Sequence, residues 1–263
     1  MRVPFFEASG VAYSYPGGRA VLRGASLALE RGGVCTILGK NGAGKTTLLN
    51  CLGGLLRPAE GSVRIDGRDV HSMTPRERAG LIGYVPQLQG AASDLTVIDY
   101  LVLGGAMRIG LLRAPSEADY ERAERAMGTF DISGMADRRV CELSGGERQQ
   151  VEITRSLVQD PEVILLDEPT NHLDYANQVR VLSMIRHLAS GRGKTLVVTS
   201  HMPDQAVVTG GTVALMGADG TLRSGTVDEM VTEENLRAVY GERVRVVFVP
   251  QLGRRVCAMG EVP

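Results

Sequence analysis

The stretch that decides the fold is Val34-Cys35-Thr36-Ile37-Leu38-Gly39-Lys40-Asn41-Gly42-Ala43-Gly44-Lys45-Thr46. Its first five residues are typical of a buried strand in a parallel sheet. The glycines that follow let the backbone turn its amide groups around an anion, and a helix beginning at Lys45 adds its positive N-terminal end. Lys45 can place its charge on the β- and γ-phosphates of a nucleotide, and the Thr46 hydroxyl can ligate Mg²⁺. The stretch therefore predicts a strand, a phosphate loop and a helix that bind ATP or GTP.

Two carboxylates follow a second buried strand. Val163–Leu166 is wholly apolar, and it runs into Asp167 and Glu168. Because parallel strands of this kind present their carboxyl ends at one edge of the sheet, the acidic pair is expected near the phosphate loop. Asp167 suits the water shell of Mg²⁺, and Glu168 can polarise a water molecule for attack on the γ-phosphate.

A histidine ends a third apolar run, Thr195–Thr199, which continues into Ser200 and His201. This position brings an imidazole to the same edge of the predicted sheet. A lone histidine is more often structural, but here a contact with the γ-phosphate is the favoured interpretation.

The run Leu143-Ser144-Gly145-Gly146-Glu147 opens another helix with a hydroxyl and two glycines. Such a helix start offers a second anion site. This run restricts the range of possible functions more than the phosphate loop does, because many classes of nucleotide-driven protein share that loop.

The composition limits the classes of partner and of location that the protein can have. The chain has 263 residues and a formal net charge of −1, so nothing indicates a nucleic acid or another polyanion as the main partner. The N-terminus has no hydrophobic stretch of signal-peptide length, and no uncharged apolar run approaches the roughly 20 residues that span a bilayer. We therefore expect a soluble, intracellular protein. The element order is mixed α/β, with short strands before residue 87 and a mostly helical segment at 88–160.

Several local patterns predict further elements. The helix after the phosphate loop is expected over Lys45–Leu56. The helical segment contains the most apolar long stretch of the chain, at 95–107, and a capping box at Ser116–Asp119 that begins another helix. A hairpin turn is expected at 217–220, and the alternation of Val244, Val246 and Phe248 predicts an edge strand.

Seven ordered features resemble those of the nucleotide-binding subunit of ATP-binding-cassette (ABC) transporters, over nearly the whole chain. They are the aromatic Tyr15, the Walker A loop Gly39–Thr47, the Q-loop residue Gln87, the signature Leu143–Glu147, the Walker B strand Val163–Glu168, and the D-loop and H-loop at Asn171–Asp174 and His201. The resemblance implies an α/β fold with a RecA-like P-loop core, an N-terminal antiparallel β lobe and an inserted helical lobe. It also implies one domain over 1–263, with the β lobe and core at 1–87 and 161–263 and the helical lobe at 88–160.

The resemblance also implies a role for each matched residue. ATP would be bound by Tyr15, Gly39, Asn41, Gly42, Gly44, Lys45, Thr46 and Thr47, with Tyr15 stacking on adenine and Tyr13 as the alternative aromatic. Glu168, His201 and Gln87 would serve catalysis, and Thr46, Gln87 and Asp167 would serve Mg²⁺. Ser144, Gly145, Gly146 and Glu147 would close over the nucleotide of a partner chain, and Asp174 would be the D-loop residue. Glu147 stands where the family usually has Gln.

Finer similarity points to importers of iron–siderophore, haem or cobalamin type. It lies in stretches such as Thr96–Tyr100, Asp167–Asp174 and His201–Ala206. The implied protein is an ATPase subunit that uses ATP and Mg²⁺, forms a homodimer and lies at the cytoplasmic face of the cell membrane. It would act on integral-membrane permease subunits and, indirectly, with an extracytoplasmic substrate-binding protein. An ABC exporter ATPase, a soluble non-transport ABC ATPase and a non-ABC kinase or GTPase are the alternatives.

Overall fold

The structure is a computed structural model that describes residues 4–87, 93–105, 113–241 and 244–260. The strands are β1 (Phe6–Ser14), β2 (Ala20–Leu29), β3 (Val34–Leu38), β4 (Glu60–Ile65), β5 (Arg68–Asp69), β6 (Ile82–Val85), β7 (Val163–Leu166), β8 (Thr195–Ser200), β9 (Thr212–Met216), β10 (Leu222–Thr226), β11 (Val244–Val249) and β12 (Arg254–Met259). The helices are α1 (Lys45–Leu52), α2 (Pro75–Leu81), α3 (Val97–Gly104), α4 (Glu117–Thr129), α5 (Gly145–Val158), α6 (Tyr175–Ser190), α7 (Pro203–Thr209), α8 (Val227–Met230) and α9 (Glu233–Tyr240). No helix in these ranges is both long and apolar enough to cross a bilayer.

The core is a six-stranded sheet in the order β10-β9-β3-β8-β7-β6. Its strands β3, β6, β7, β8 and β9 are parallel, and β10 pairs antiparallel with β9. Every residue of β3, β7 and β8 is buried, as expected for strands covered on both faces. This arrangement confirms the predicted RecA-like core.

An antiparallel sheet in the order β2-β1-β4-β5 forms the N-terminal lobe. Its apolar side chains join those of α1 and of one face of the parallel sheet in a single core that includes Phe6, Leu49 and Leu165. Helix α1 was expected to reach Leu56, but it ends at Leu52. Gly53 and Gly54 follow, and Gly54 has a φ of 71° that ends the helical backbone.

The described part of the segment 88–160 is helical, as predicted. Helices α3, α4 and α5 pack on one another around a separate apolar cluster that includes Val97, Met127 and Val151. Helix α4 begins at the expected capping box of Ser116 and Asp119. Residues 88–92 and 106–112 lie outside the described residues, so the apolar stretch predicted at 95–107 is described only to Gly105. The division of the chain into lobes at 88 and 160 stays a prediction.

The C-terminal segment contains the expected edge strand. The alternation of Val244, Val246 and Phe248 predicted it, and β11 pairs antiparallel with β12 in a separate two-stranded sheet, in which each strand is an edge. The Cys257 amide of β12 donates to Asp204 Oδ1 at 2.8 Å, which joins the hairpin to α7. One edge of the six-stranded sheet is β10, which the predicted turn at 217–220 connects to β9.

Candidate functional site

Strand register places the predicted site residues at one edge of the parallel sheet. Val85 pairs with Leu166 across β6 and β7, and Leu166 pairs with Val198 across β7 and β8. Leu38 of β3 pairs with Ser200. The residues that follow these strand ends, namely the phosphate loop, Gln87, Asp167, Glu168 and His201, therefore meet at the carboxyl edge.

The phosphate loop needs its glycines for conformational and steric reasons. Gly42 and Gly44 have φ values of 79° and 103°, in the left-handed region. A Cβ at Gly44 would lie 2.8 Å from Val21 Cγ1, closer than atoms pack. Only glycine therefore lets the chain enter α1 this close to β2.

The loop opens on a cavity of about 410 Å³, which is in the size range of small-molecule sites. Nine of the predicted site residues line it: Tyr15, Asn41, Gly42, Gly44, Lys45, Thr46, Thr47, Gln87 and Glu168. Val21, which no motif contains, and Asn171, the first residue of the predicted D-loop, complete the lining. The motifs separated by up to 153 positions in the chain thus surround one space.

Lys45 forms a buried ion pair with Glu168. Its Nζ lies 2.9 Å from Glu168 Oε1, and the two side chains are 4% and 11% exposed. The same Nζ donates to the carbonyl oxygens of Gly39, at 2.9 Å, and Lys40, at 3.1 Å. His201 Nδ1 lies 3.2 Å from the other carboxylate oxygen, Glu168 Oε2. A cation, a carboxylate and an imidazole therefore form one connected group at the cavity.

Asp167 is buried beside this group, and Thr199 contacts both acidic residues. The Thr199 hydroxyl donates to Asp167 Oδ1 at 2.7 Å and accepts from the Glu168 amide at 2.8 Å. Glu168 has a φ of 45°, a left-handed conformation that non-glycine residues seldom adopt. The Asn171 amide donates to the Glu168 carbonyl at 3.0 Å, so both backbone groups of this residue are held.

Tyr15, the predicted aromatic contact for adenine, is 46% exposed at the cavity. Its hydroxyl lies 3.3 Å from Thr47 Oγ1. The alternative, Tyr13, does not line the cavity; it packs against the core and meets the Tyr15 ring edge-on, with centroids 5.1 Å apart. The geometry favours Tyr15 for the adenine contact.

The signature run begins α5 with a capping box. Ser144 is the N-cap, its Oγ accepts from the Glu147 amide at 3.3 Å, and Glu147 Oε2 accepts from the Ser144 amide at 2.8 Å. Arg138 Nη1 also donates to Glu147 Oε1, at 2.6 Å. The hydrogen bond from Arg138 and then that from the Ser144 amide lower the pKa of Glu147 to about 2. Glu147 is therefore an ionised cap, paired with a guanidinium.

None of the four signature residues lines the cavity described above. Ser144 and Gly145 are exposed, whereas Gly146 is buried. A Cβ at Gly146 would lie 2.2 Å from Asn177 Cγ. Asn177 in turn bonds to the D-loop residue Asp174, which caps α6 through its Oδ1. The structure thus joins the signature to Asp174 of the D-loop, and neither lines the chain's own cavity, although Asn171 at the start of the D-loop does.

Sequence reasoning missed several residues that hold the site. Thr199 was seen only as part of a strand end, although a hydroxyl beside an acidic pair on the neighbouring strand is a usable signal. Arg138 also had a sequence signal: it is a cation nine residues before Glu147, which stands where the family usually has Gln. Three further residues, Thr170, Ser200 and Gln205, have no sequence signal. Thr170 Oγ1 and Ser200 Oγ both donate to Gln205 Oε1 at 2.8 Å, and these bonds connect the loop after Glu168 to α7.

Comparisons with known proteins agree with this geometry. Residues 22–171 match the ABC transporter family. The chain is 35% identical to an uncharacterised ABC transporter ATP-binding protein of Methanocaldococcus jannaschii, over 92% of this chain and 93% of that protein. It is 34% identical to the hemin import ATP-binding protein HmuV of Rhizobium meliloti, over 89% of this chain and 90% of that protein.

Solved structures give the same result. A transporter assigned to the metal-chelate type, in an inward-facing conformation, superposes with a TM-score of 0.80 at 30% identity, over 90% of this chain and 89% of that one. A dimeric bacterial ABC transporter cassette, MJ0796, superposes with a TM-score of 0.73 at 27% identity, over 84% of this chain and 98% of that one. Fold and site therefore define an ATP-binding cassette. The chain belongs to the ABC transporter family, whose cassettes are ATPases coupled to transport.

Proposed function

We propose that this chain is the ATP-hydrolysing subunit of an ABC importer for a metal chelate, of the iron–siderophore, haem or cobalamin type. The observation that carries the ATPase assignment is the group of Lys45, Glu168 and His201 at the nucleotide-sized cavity. The importer assignment is supported by relatives such as the hemin import protein and by the metal-chelate transporter structure.

The nucleotide fits the chain's own donors. The loop supplies amides from a glycine-rich turn, and Lys45 supplies the charge that pairs with β- and γ-phosphates. Tyr15 stands at the cavity with Thr47, where an adenine can stack on its ring. Arriving phosphates would take Lys45 away from Glu168, because a polyphosphate carries more charge than one carboxylate.

Mg²⁺ fits the oxygen donors beside the loop. Thr46 and Gln87 line the cavity, and Asp167 offers a carboxylate next to it. Among the described residues no three His, Cys, Asp or Glu side chains form a metal cluster. That absence suits Mg²⁺, which binds through one or two protein oxygens together with phosphates and water. When bound with ATP, the ion would neutralise charge on the transferring phosphoryl group.

Glu168 is the residue we assign to the attacking water. Once Lys45 turns to the phosphates, the Glu168 carboxylate is free to accept a hydrogen bond from that water and polarise it. His201 contacts Glu168 and would meet the γ-phosphate from that position. Gln87 completes the group by sensing Mg²⁺ and the water.

The signature and D-loop are assigned to a partner chain. Ser144 and Gly145 are exposed at the start of α5, where the amides of a helix N-terminus can bind phosphate, yet they do not line their own chain's cavity. In a head-to-tail homodimer, Ser144, Gly145 and Gly146 would close over the partner's ATP, with Glu147 as the cap and Asp174 beside it. The dimeric cassette similar to this chain supports that arrangement.

The transport role requires membrane partners. We propose that two integral-membrane permease subunits receive the helical lobe at the cytoplasmic face of the membrane, and that closure of the dimer drives them. A substrate-binding protein would act through the permease only. The net charge of −1 gives no support to a nucleic acid partner.

Glu168→Gln tests the ATPase assignment. The variant should bind ATP, lose at least about 100-fold in turnover because the general base is gone, and accumulate a dimer in size-exclusion chromatography. Glu162→Gln is the matched control. Glu162 immediately precedes β7, at the opposite end of the strand from Glu168, and pairs with Arg31. Full turnover by Glu168→Gln would refute the assignment.

Purification from membranes tests the transporter assignment. A tagged chain should bring down its permease, and the reconstituted complex should take up a labelled iron chelate or haem in an ATP-dependent manner. Outward movement of the substrate would favour the exporter alternative. Recovery of the chain without any membrane protein would favour a soluble non-transport ATPase.

A further inference from the structure

The Thr199 side chain bonds to both Asp167 and Glu168. Thr199 is the second-last residue of β8, is 0% exposed, and lies beside the acidic pair because Leu166 and Val198 are register partners. Its hydroxyl donates to Asp167 Oδ1 and accepts from the Glu168 amide. One oxygen therefore uses its single proton on one acidic residue and a lone pair on the other.

The two bonds fix different features of the acidic pair. The bond to Asp167 Oδ1 holds one carboxylate oxygen and so sets the orientation of the side chain. The bond from the Glu168 amide holds a backbone with a φ of 45°, which an isolated residue would leave for a more favourable region. Loss of the hydroxyl would release both the carboxylate and the backbone that carries the neighbouring side chain.

We propose that Thr199 is a positioning residue for ATP hydrolysis, setting the Asp167 carboxylate for Mg²⁺ and the Glu168 carboxylate for the attacking water. The proposal rests on the proposed function of those two residues. Residues that orient a metal ligand typically change metal affinity or activity by about 10- to 100-fold when they are removed. Thr199 does not touch nucleotide, ion or water in this assignment; it acts only through Asp167 and Glu168.

A purely structural role is the competing explanation, and Thr195 allows it to be measured. Thr195 lies on the same strand, is also 0% exposed, and its hydroxyl accepts from the Gly32 amide at 3.0 Å. It stands at the opposite end of β8 from the acidic pair. Thr195→Val therefore removes a buried hydroxyl of the same kind without touching Asp167 or Glu168.

Thr199→Val is the test, because valine keeps the shape of threonine and lacks the hydroxyl. We expect kcat to fall about tenfold with KM for ATP nearly unchanged, and the Mg²⁺ concentration for half-maximal activity to rise. Thr195→Val should lower the thermal unfolding midpoint by a similar amount and leave kcat unchanged. Thr199→Ser, which retains a hydroxyl, should restore kcat to within about threefold of the wild-type value.

A binding measurement gives a second readout that does not depend on turnover. In a Glu168→Gln background, calorimetry with ATP should show that Thr199→Val reduces the gain in affinity produced by Mg²⁺ by about tenfold. The affinity for ATP in EDTA should not change. If Thr199→Val does not fold, Thr199→Ala compared with Thr195→Ala is judged by the same criteria.

The inference and the function on which it rests fail in different ways. If Thr199→Val matches Thr195→Val in kcat and in the Mg²⁺ gain while Glu168→Gln is inactive, the positioning role is refuted and the ATPase assignment stands. If Glu168→Gln keeps full turnover, the ATPase assignment itself is refuted. Loss of activity in Thr199→Val that serine does not restore would also refute the positioning role.

Discussion

Arg138 neutralises Glu147 at the start of the signature helix, with Arg138 Nη1 2.6 Å from Glu147 Oε1. In the proposed dimer, a negative charge at this position would otherwise lie near the phosphates of the partner's nucleotide. The pair explains how the chain uses Glu where the family usually has Gln: the carboxylate completes the capping box, and the guanidinium supplies the compensating charge.

The first prediction follows from this pair. Arg138→Met should weaken ATP-dependent dimer formation and ATPase activity by roughly three- to fivefold, because it leaves the Glu147 charge unpaired near phosphate. Adding Glu147→Gln to Arg138→Met should restore both, since Gln also completes a capping box. Dimerisation by analytical ultracentrifugation and steady-state ATPase rates measure the effect. Equal losses in the single and double variants would contradict it.

The second prediction concerns pH. The pKa of Glu147 in the folded chain is about 2, below the ordinary value of 4.5. Because the folded chain binds this proton more weakly than the unfolded chain, Glu147 stabilises the fold above about pH 4.5, and this contribution is lost as the pH falls towards 2. Urea unfolding from pH 6 to pH 3 should show a steeper loss of stability for the wild type than for Glu147→Gln. If stability falls with pH in parallel in the two proteins, Glu147 does not have the lowered pKa.

The third prediction concerns competition for Lys45. Glu168 holds Lys45 before nucleotide binds, so Glu168→Gln should bind ADP about three- to tenfold more tightly than the wild type, even in EDTA. His201→Ala is the control, because it removes a contact to Glu168 and leaves the Lys45 pair intact. Calorimetry measures both affinities. An unchanged ADP affinity in Glu168→Gln would show that the ion pair does not oppose binding.

Lys45→Ala provides the fourth prediction. The variant should lose most of its nucleotide affinity, on the order of 100-fold, because the phosphates lose their buried cationic partner. Lys40→Ala is the matched control; Lys40 is exposed in the same loop, and only its carbonyl contacts Lys45. Its affinity should stay within about twofold of the wild-type value. ATP binding by Lys45→Ala at wild-type strength would argue against the loop as the phosphate site.

The fifth prediction tests the contact between signature and D-loop. Gly146→Ala should disturb the start of α5, because its Cβ would lie 2.2 Å from Asn177 Cγ. We expect lower thermal stability and loss of ATP-dependent dimerisation, both partly regained when Asn177→Ala makes room. Gly145→Ala is the control for stability, since a Cβ there meets nothing within 4 Å. A normal dimer from Gly146→Ala alone would contradict this account.

Local sequence signals were sufficient for the main elements of the fold. Strand β7 has the predicted bounds, because Val163–Leu166 is an uninterrupted apolar run between polar residues. Helix α4 begins at the predicted Ser116 cap. The alternation in β11 identified it as a strand, but alternation does not specify which strand pairs with it, so the pairing with β12 was not predicted.

The site was predictable to the extent that its motifs are contiguous in sequence. Nine predicted residues line one cavity, because the ends of neighbouring parallel strands must meet. Contacts that depend on side-chain direction were not predictable: the pairing of Lys45 with Glu168, and the position of Asn177 against Gly146, require three-dimensional packing. Arg138 and Thr199 were overlooked although each had a local signal: a cation shortly before Glu147, and a hydroxyl at the end of the apolar run that follows the acidic pair.

The pairing of β7 with β8 has a consequence for how this site can change. Side chains alternate between faces along each strand, so moving β8 by one position would carry Thr199 away from Asp167 and exchange every buried residue of the strand. A deletion in the loop before β8 would therefore be more harmful to catalysis than many substitutions in the cavity wall. The alignment of two backbones is itself a functional element, and it can be lost without altering any residue that touches the nucleotide.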